Sequence, residues 1–231
     1  MSPSPTLRVS GPRGPVLAVV LVLHGGRSQS QAPTTALQLS PLRMIPFARR
    51  IARATRKDGV ATWRLRYRVR GWNGVAADPV VDARWALAEI RRRHGDVPVV
   101  LVGHSMGGRT AVHVAGDPAV CAVVALAPWL TPADPSTGLE GTRVTVVHGD
   151  MDRWTSARAS RAWTEQVRRR DARASFVSLA RGEHFMLLRA RTWHRLTTDL
   201  VLDALADAGL TNRPGPAVVR AAADGRLDLR V

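Results

Sequence analysis

The stretch Val97-Pro-Val-Val-Leu-Val-Gly-His-Ser-Met-Gly-Gly108 decides how this chain folds. Its first half is aliphatic apart from one proline. Unbroken rather than alternating hydrophobicity suits a strand covered on both faces, as in a parallel sheet. Its second half fits G-x-S-x-G over Gly103–Gly107, with an extra glycine at 108, and small residues follow to about Ala115 in a helical pattern. A serine at such a strand-to-helix turn takes a strained backbone, and flanking glycines leave room for the neighbouring chain. The turn lifts the hydroxyl above the sheet, and the helix points its first amides toward developing negative charge. The blander reading of the same turn is a serine that only caps the helix.

Outward from this turn, strands and helices alternate. Val16–Leu23 is a second unbroken aliphatic run and ends in His24-Gly25-Gly26. Leu42–Arg56 has apolar residues at helical spacing. Val60–Val69 interleaves apolar residues with Arg64, Arg66 and Arg68, which predicts a strand near a sheet edge with one wet face. A loop with Trp72 follows, then a helix over Asp78–Arg93. Strands are predicted over Ala122–Ala127, Thr142–Val147 and Ala174–Leu179, with helices over Ser156–Arg170 and Thr192–Ala208. The alternation predicts an α/β fold with a mainly parallel central sheet and helices on both faces. The expected domain is 16–208, preceded by an irregular arm or short edge strand in 1–15. A loosely attached tail is expected over 209–231. In such sheets function sits at the carboxyl ends of the strands. The polar clusters at 24–27, 103–108, 148–152 and 182–184 each follow a predicted strand.

Composition removes several classes. With 231 residues the chain can bury a full core without a metal or disulfide. Cys121 is the only cysteine, which excludes disulfides within the chain and cysteine-paired zinc or iron–sulfur sites. The longest apolar run, Val16–Leu23, is far short of the roughly 20 residues of a spanning helix, so no membrane partner is expected. The first residues show no basic segment followed by an apolar one, and a cytoplasmic location is the expectation. The net charge of +16 raises the question of nucleic acid. Yet Lys57 is the only lysine, and the arginines are dispersed without a long basic tail. A weak, salt-sensitive attraction to phosphates is expected, not specific nucleic-acid binding. Oligomeric state is left open.

A serine hydroxyl needs a base to become a nucleophile. Of seven histidines, His24 and His104 sit in glycine-rich turns as packing or positioning groups. His184, in Arg181-Gly-Glu-His-Phe185, follows the last long strand in a loop that can bend back over the sheet edge. It is the expected base. The base needs a carboxylate to fix its tautomer. Asp150 and Asp152 both follow the Thr142–Val147 strand. Asp152 is preferred, because Asp150 fits the turn itself, where aspartate bonds its own backbone. The chain order is then Ser105, Asp152, His184.

These motifs together (His24-Gly25-Gly26, Gly103–Gly108, Gly149-Asp-Met-Asp152 and Gly182-Glu-His184) resemble the α/β-hydrolase superfamily over about residues 16–208. The resemblance implies an oxyanion hole of two backbone N–H groups. One is that of Met106, and the other that of Gly26, with Arg27 as the less favoured neighbour. A cap would sit between the strands ending at Ala127 and starting at Thr142. Only Pro128–Gly141, with three prolines, is available, so the resemblance is to small capless serine esterases and dienelactone-hydrolase-like members. It implies a carboxylic-ester hydrolase for a small-molecule substrate with a small or medium acyl group, and no metal or organic cofactor. The same triad also serves thioesterases, amidases and acyltransferases, and a non-catalytic binding protein is a further alternative. Trp72, Trp129 and Trp154 follow strands and are expected to line the substrate pocket, with Arg27 as a further contact.

Overall fold

The computed structural model describes residues 3–170, 173–213, 216 and 229–230. Its centre is the pair of aliphatic runs: β2 (Ala18–Leu23) and β4 (Val99–His104) lie side by side in parallel, and every residue of both is buried. Around them the strands are β1 (Thr6–Ser10), β3 (Val60–Arg66), β5 (Val120–Leu126), β6 (Arg143–Gly149), β7 (Ala174–Leu179) and β8 (Leu229–Arg230). The sheet order is β1-β3-β2-β4-β5-β6-β7-β8. All neighbours are parallel except β1, which runs antiparallel to β3.

Alternate faces of the strands feed two cores. Val20, Val22, Val100 and Val102 pack with Phe47 and Ile51 of α1 (Leu39–Ala54) and Trp193 and Leu200 of α5 (Ala190–Asp207). Leu21, Leu23, Trp63 and Leu101 pack against α2 (Asp78–His94), α3 (Met106–His113) and α4 (Ala157–Arg168). This two-period pattern is why β2 and β4 have no polar face to show water.

The differences from expectation lie at the margins. The segment 1–15 is not wholly irregular: its Thr6–Ser10 part is the edge strand, so β3 stands one strand in. β3 stops at Arg66 because the next residues turn to bond the loop after β2, through Arg27 N–H to Arg70 O and Thr34 N–H to Arg68 O. The described part of the 209–231 tail is tied down. Leu210 packs on the α1/α5 core, Arg213 pairs with Asp58, and Leu229–Arg230 add to β7. Residues 214–215, 217–228 and 231 of that segment lie outside the described residues.

Between β2 and β4 the strand order reverses: β3 and β1 continue one way, β5 to β8 the other. A crevice at such a switch point, above the carboxyl ends of the strands, is where open α/β sheets bind ligands.

Candidate active site

Ser105 occupies the turn at that crevice. Its backbone has φ 53° and ψ −119°, a conformation that costs a residue with a side chain about 1–3 kcal/mol. The turn tolerates it because it is packed on backbone. A Cβ on Gly107 would come 2.5 Å from Leu23 O and 2.6 Å from His24 O, and one on Gly103 would meet Gly107 O at 2.2 Å. The glycines therefore let α3 sit directly on β4 and on the end of β2. Ser105 N–H is tied to Leu126 O at 3.0 Å.

The other two predicted residues converge on this hydroxyl. His184 Nε2 lies 3.1 Å from Ser105 Oγ, and His184 Nδ1 lies 2.8 Å from Asp152 Oδ2. Their loops can approach because Gly149 and Gly182 meet backbone to backbone: a Cβ on Gly149 would stand 2.2 Å from Gly182 O. The two aspartates divide the work of these loops. Asp150 Oδ1 accepts from Arg181 N–H at 2.7 Å and pins the start of the histidine loop. Asp152 also does turn chemistry, contrary to the contrast drawn from sequence. Its Oδ1 accepts from the N–H groups of Trp154 (2.8 Å) and Thr155 (2.9 Å), which leaves Oδ2 for the imidazole.

Two residues beside Asp152 were not singled out from the sequence. Thr155 Oγ1 lies 2.9 Å from Asp152 Oδ2, 3.2 Å from His184 Nδ1 and 3.3 Å from His148 Nε2. His148, fully buried at the end of β6, approaches Asp152 Oδ2 to 3.2 Å with Nε2. Burial by itself would push the Asp152 carboxyl up. Hydrogen bonds from His148, His184 and the Thr155 N–H outweigh it and hold the carboxyl far below the usual carboxylate range. The sequence signal for Thr155 is Asp-x-x-Thr, a self-capping turn. His148 is visible only once β6 is known to carry the acid at its end.

Two more histidines act as struts. His104 donates from Nε2 to His184 O at 2.8 Å, and burial lowers its pKa to about 3. His24 donates from Nδ1 to Gly25 O at 2.6 Å while its Nε2 accepts from Tyr67 N–H at 3.3 Å. Burial lowers its pKa to about 4, and the neutral ring these bonds require is the stable form. Gly25 O and Gly26 N–H belong to one peptide plane and point opposite ways. Holding the carbonyl on His24 therefore turns the Gly26 N–H away from it. The Arg27 N–H is occupied by Arg70 O at 2.8 Å. The Met106 N–H is the first of α3 and has no acceptor within the helix.

A sequence profile described as the alpha/beta hydrolase family matches residues 19–230. The chain belongs to that family. Lipase LipV of Mycobacterium tuberculosis is 43% identical over 72 residues, a match that covers 30% of this chain and only 25% of LipV. The esterase Est2 of the Planctomycetes species Thermogutta terrifontis, solved with propionate bound, is 17% identical with a TM-score of 0.69, covering 91% of this hydrolase and 92% of Est2. An α/β serine hydrolase without lid from Xanthomonas campestris is 17% identical with a TM-score of 0.62, covering 91% of each chain. At these identities the structures show a shared fold.

The hydrolase has no helix between β5 and β6. Pro128–Gly141 is instead folded around the buried Asp134, which pairs with Arg109 at 2.7 Å and accepts from Thr131 N–H at 2.7 Å. Arg109 lies between the rings of Trp72 and Trp129, 4.3 and 4.5 Å from their centroids. This corrects one expectation: Trp72 is a buried support under that stack and does not line the cleft. Trp129, Trp154 and Arg27 do line it, as do Gly26, Met106 and Phe185. The cleft above Ser105 measures about 970 Å³. Among the described residues no group of three or more His, Cys, Asp or Glu side chains is placed to hold a metal ion, and no helix is long and apolar enough to cross a membrane.

Proposed function

We propose that this hydrolase is a serine esterase that cleaves a carboxylic ester of a small or medium acyl group through an acyl-enzyme on Ser105. The observation that carries the reading is the continuous line from Ser105 Oγ to His184 Nε2 (3.1 Å) and from His184 Nδ1 to Asp152 Oδ2 (2.8 Å). In the first step His184 Nε2 takes the Ser105 proton as Oγ forms a bond to the ester carbonyl carbon. The carbonyl oxygen, now negative, is held by the N–H groups of Gly26 and Met106, each donor of this kind contributing about 3 kcal/mol to transition-state stabilisation. The imidazolium passes its proton to the departing alcohol as the C–O bond breaks. Water then gives a proton to His184, attacks the acyl carbon, and Ser105 leaves with that proton. Asp152 keeps the proton of His184 on Nδ1 and balances the imidazolium charge.

An open cleft bordered by Trp129, Trp154 and Phe185 offers apolar surface to an acyl or alcohol group. The esterase name of Est2 and the lipase name of LipV agree with ester hydrolysis in general. A fluorophosphonate probe is expected to label the protein once, at Ser105, and folded Ser105→Ala should be neither labelled nor active on p-nitrophenyl esters of graded length. Labelling elsewhere, or hydrolysis surviving in Ser105→Ala, contradicts the reading.

A further inference from the structure

Three partly shielded arginines elsewhere in this chain meet a carboxylate: Arg68 with Asp78 and Asp82, Arg109 with Asp134, Arg143 with Asp203. The face of β1 and β3 that is turned toward α1 departs from that pattern. Arg8 and Arg64 are direct partners in the antiparallel register. Directly opposed residues share a face with Cβ atoms about 5 Å apart, and like charges there repel. Arg66, two residues further along β3, is on the same face and opposite Thr6. Arg49 of α1 completes the group. Burial, followed by the charges of Arg49 and Arg8, lowers the pKa of the Arg64 guanidinium. Among the described residues none of these four arginines forms an ion pair. A recess of about 120 Å³ opens here, lined by Thr6, Arg8, Arg64 and Arg66 together with the apolar Val22 and Met44.

We propose that this recess binds a compact, multiply charged anion of the phosphate class, at a site separate from the ester-cleaving centre. Guanidinium groups present paired donors that match phosphate oxygens two at a time, and the Thr6 hydroxyl adds a neutral donor. The convergence of charge on one small recess fits a phosphate group. A nucleic-acid strand instead needs charge spread along a groove. The site also has a route to the catalytic cleft, because His24, which holds the Gly25–Gly26 peptide, lines both.

The test follows from the repulsion. In chloride buffer the cluster opposes itself, so Arg64→Gln is expected to melt higher than the parent chain. With saturating inorganic pyrophosphate at the same ionic strength, the order reverses, because a ligand that binds only the folded state stabilises the parent more. Titration calorimetry on the full chain should show one saturable site, weakened at least about tenfold by Arg64→Gln and by Arg8→Gln. Arg8 lies on the exposed edge strand and serves if Arg64→Gln does not fold. Arg158→Gln, an equal charge change on α4 across the sheet, should leave the affinity unchanged. Glycerol 3-phosphate as a second ligand separates a phosphomonoester from a free inorganic anion, and binding of either supports the site. Three results overturn it: no saturable binding, equal weakening by Arg158→Gln, or duplex DNA binding that pyrophosphate does not displace.

Discussion

The two halves of the candidate active site are held by different physics. The half that carries Ser105 and the two N–H groups is a matter of shape. Gly103 and Gly107 let backbone rest on backbone, and the neutral rings of His24 and His104 fill and brace the turns. The half that carries Asp152 and His184 is a matter of charge, with one carboxylate serving His184, His148, Thr155 and two turn amides. A backbone-packed turn holds the strained serine through main-chain contacts, with its hydroxyl left to meet His184. A buried carboxylate cannot stand without partners at all. Each half therefore fails in its own way.

The largest effect is expected in the charged half. Asp152→Asn keeps the volume but removes the acceptor that fixes the His184 tautomer, and kcat should fall about 10⁴-fold, as removing the acid does in this type of triad. Asp150→Asn loosens one bond to Arg181 N–H and should cost less than about tenfold, the scale of a single neutral hydrogen bond. Steady-state kinetics on a short-chain p-nitrophenyl ester decides it. The reverse ranking makes Asp150 the acid.

The shaped half should break through folding. Gly107→Ala forces a methyl against the carbonyls of Leu23 and His24, an overpacking expected to cost about 3 kcal/mol. Denaturant melts measure the loss. A variant of unchanged stability would mean that the turn has slack, and the account of the elbow as tight packing would be wrong.

The contrast also explains what was legible in the sequence. The shaped half was plain, because its determinants are neighbours in the chain: an aliphatic run, then Gly103, Ser105, Gly107. The acid and base were legible as candidates because each follows a strand. The choice between Asp150 and Asp152 rested on a turn rule that neither follows: Asp150 bonds Arg181 N–H in the histidine loop rather than its own turn, and Asp152 is the one that bonds the amides of its own turn. The rest depends on contacts between distant segments. His148 and Thr155 gain meaning only when β6 and the start of α4 close on Asp152. Trp72 follows a strand as Trp129 does, yet the loop after β2 zips onto residues 68–73 and buries it under Arg109. Helix ends differ from expectation by two or three residues, at Leu39 of α1 and His113 of α3, because helix termini are the part of an element that sequence pattern defines least.

Acid should separate the two halves without any substitution. Folding lowers the pKa of His24 to about 4 and of His104 to about 3, from 6.5 in the unfolded chain. Groups kept neutral in this way favour the folded state fully above pH 6.5, and that advantage drains away as pH falls toward the folded values. Near pH 4.5 the loss is about 3 kcal/mol for each ring. Asp152 behaves otherwise. Its folded pKa lies below the unfolded carboxylate value, so its contribution is intact at pH 4.5 and is lost only at lower pH. Stability is therefore expected to decline between pH 6.5 and 4.5 through the braces of the serine turn, while the carboxylate network stays charged. His104→Gln can keep a donor to His184 O without a titrating ring, and it should flatten the decline by roughly half. An equally steep decline in that variant would place the acid sensitivity outside the elbow, and the division of the site into a shaped half and a charged half would lose its thermodynamic basis.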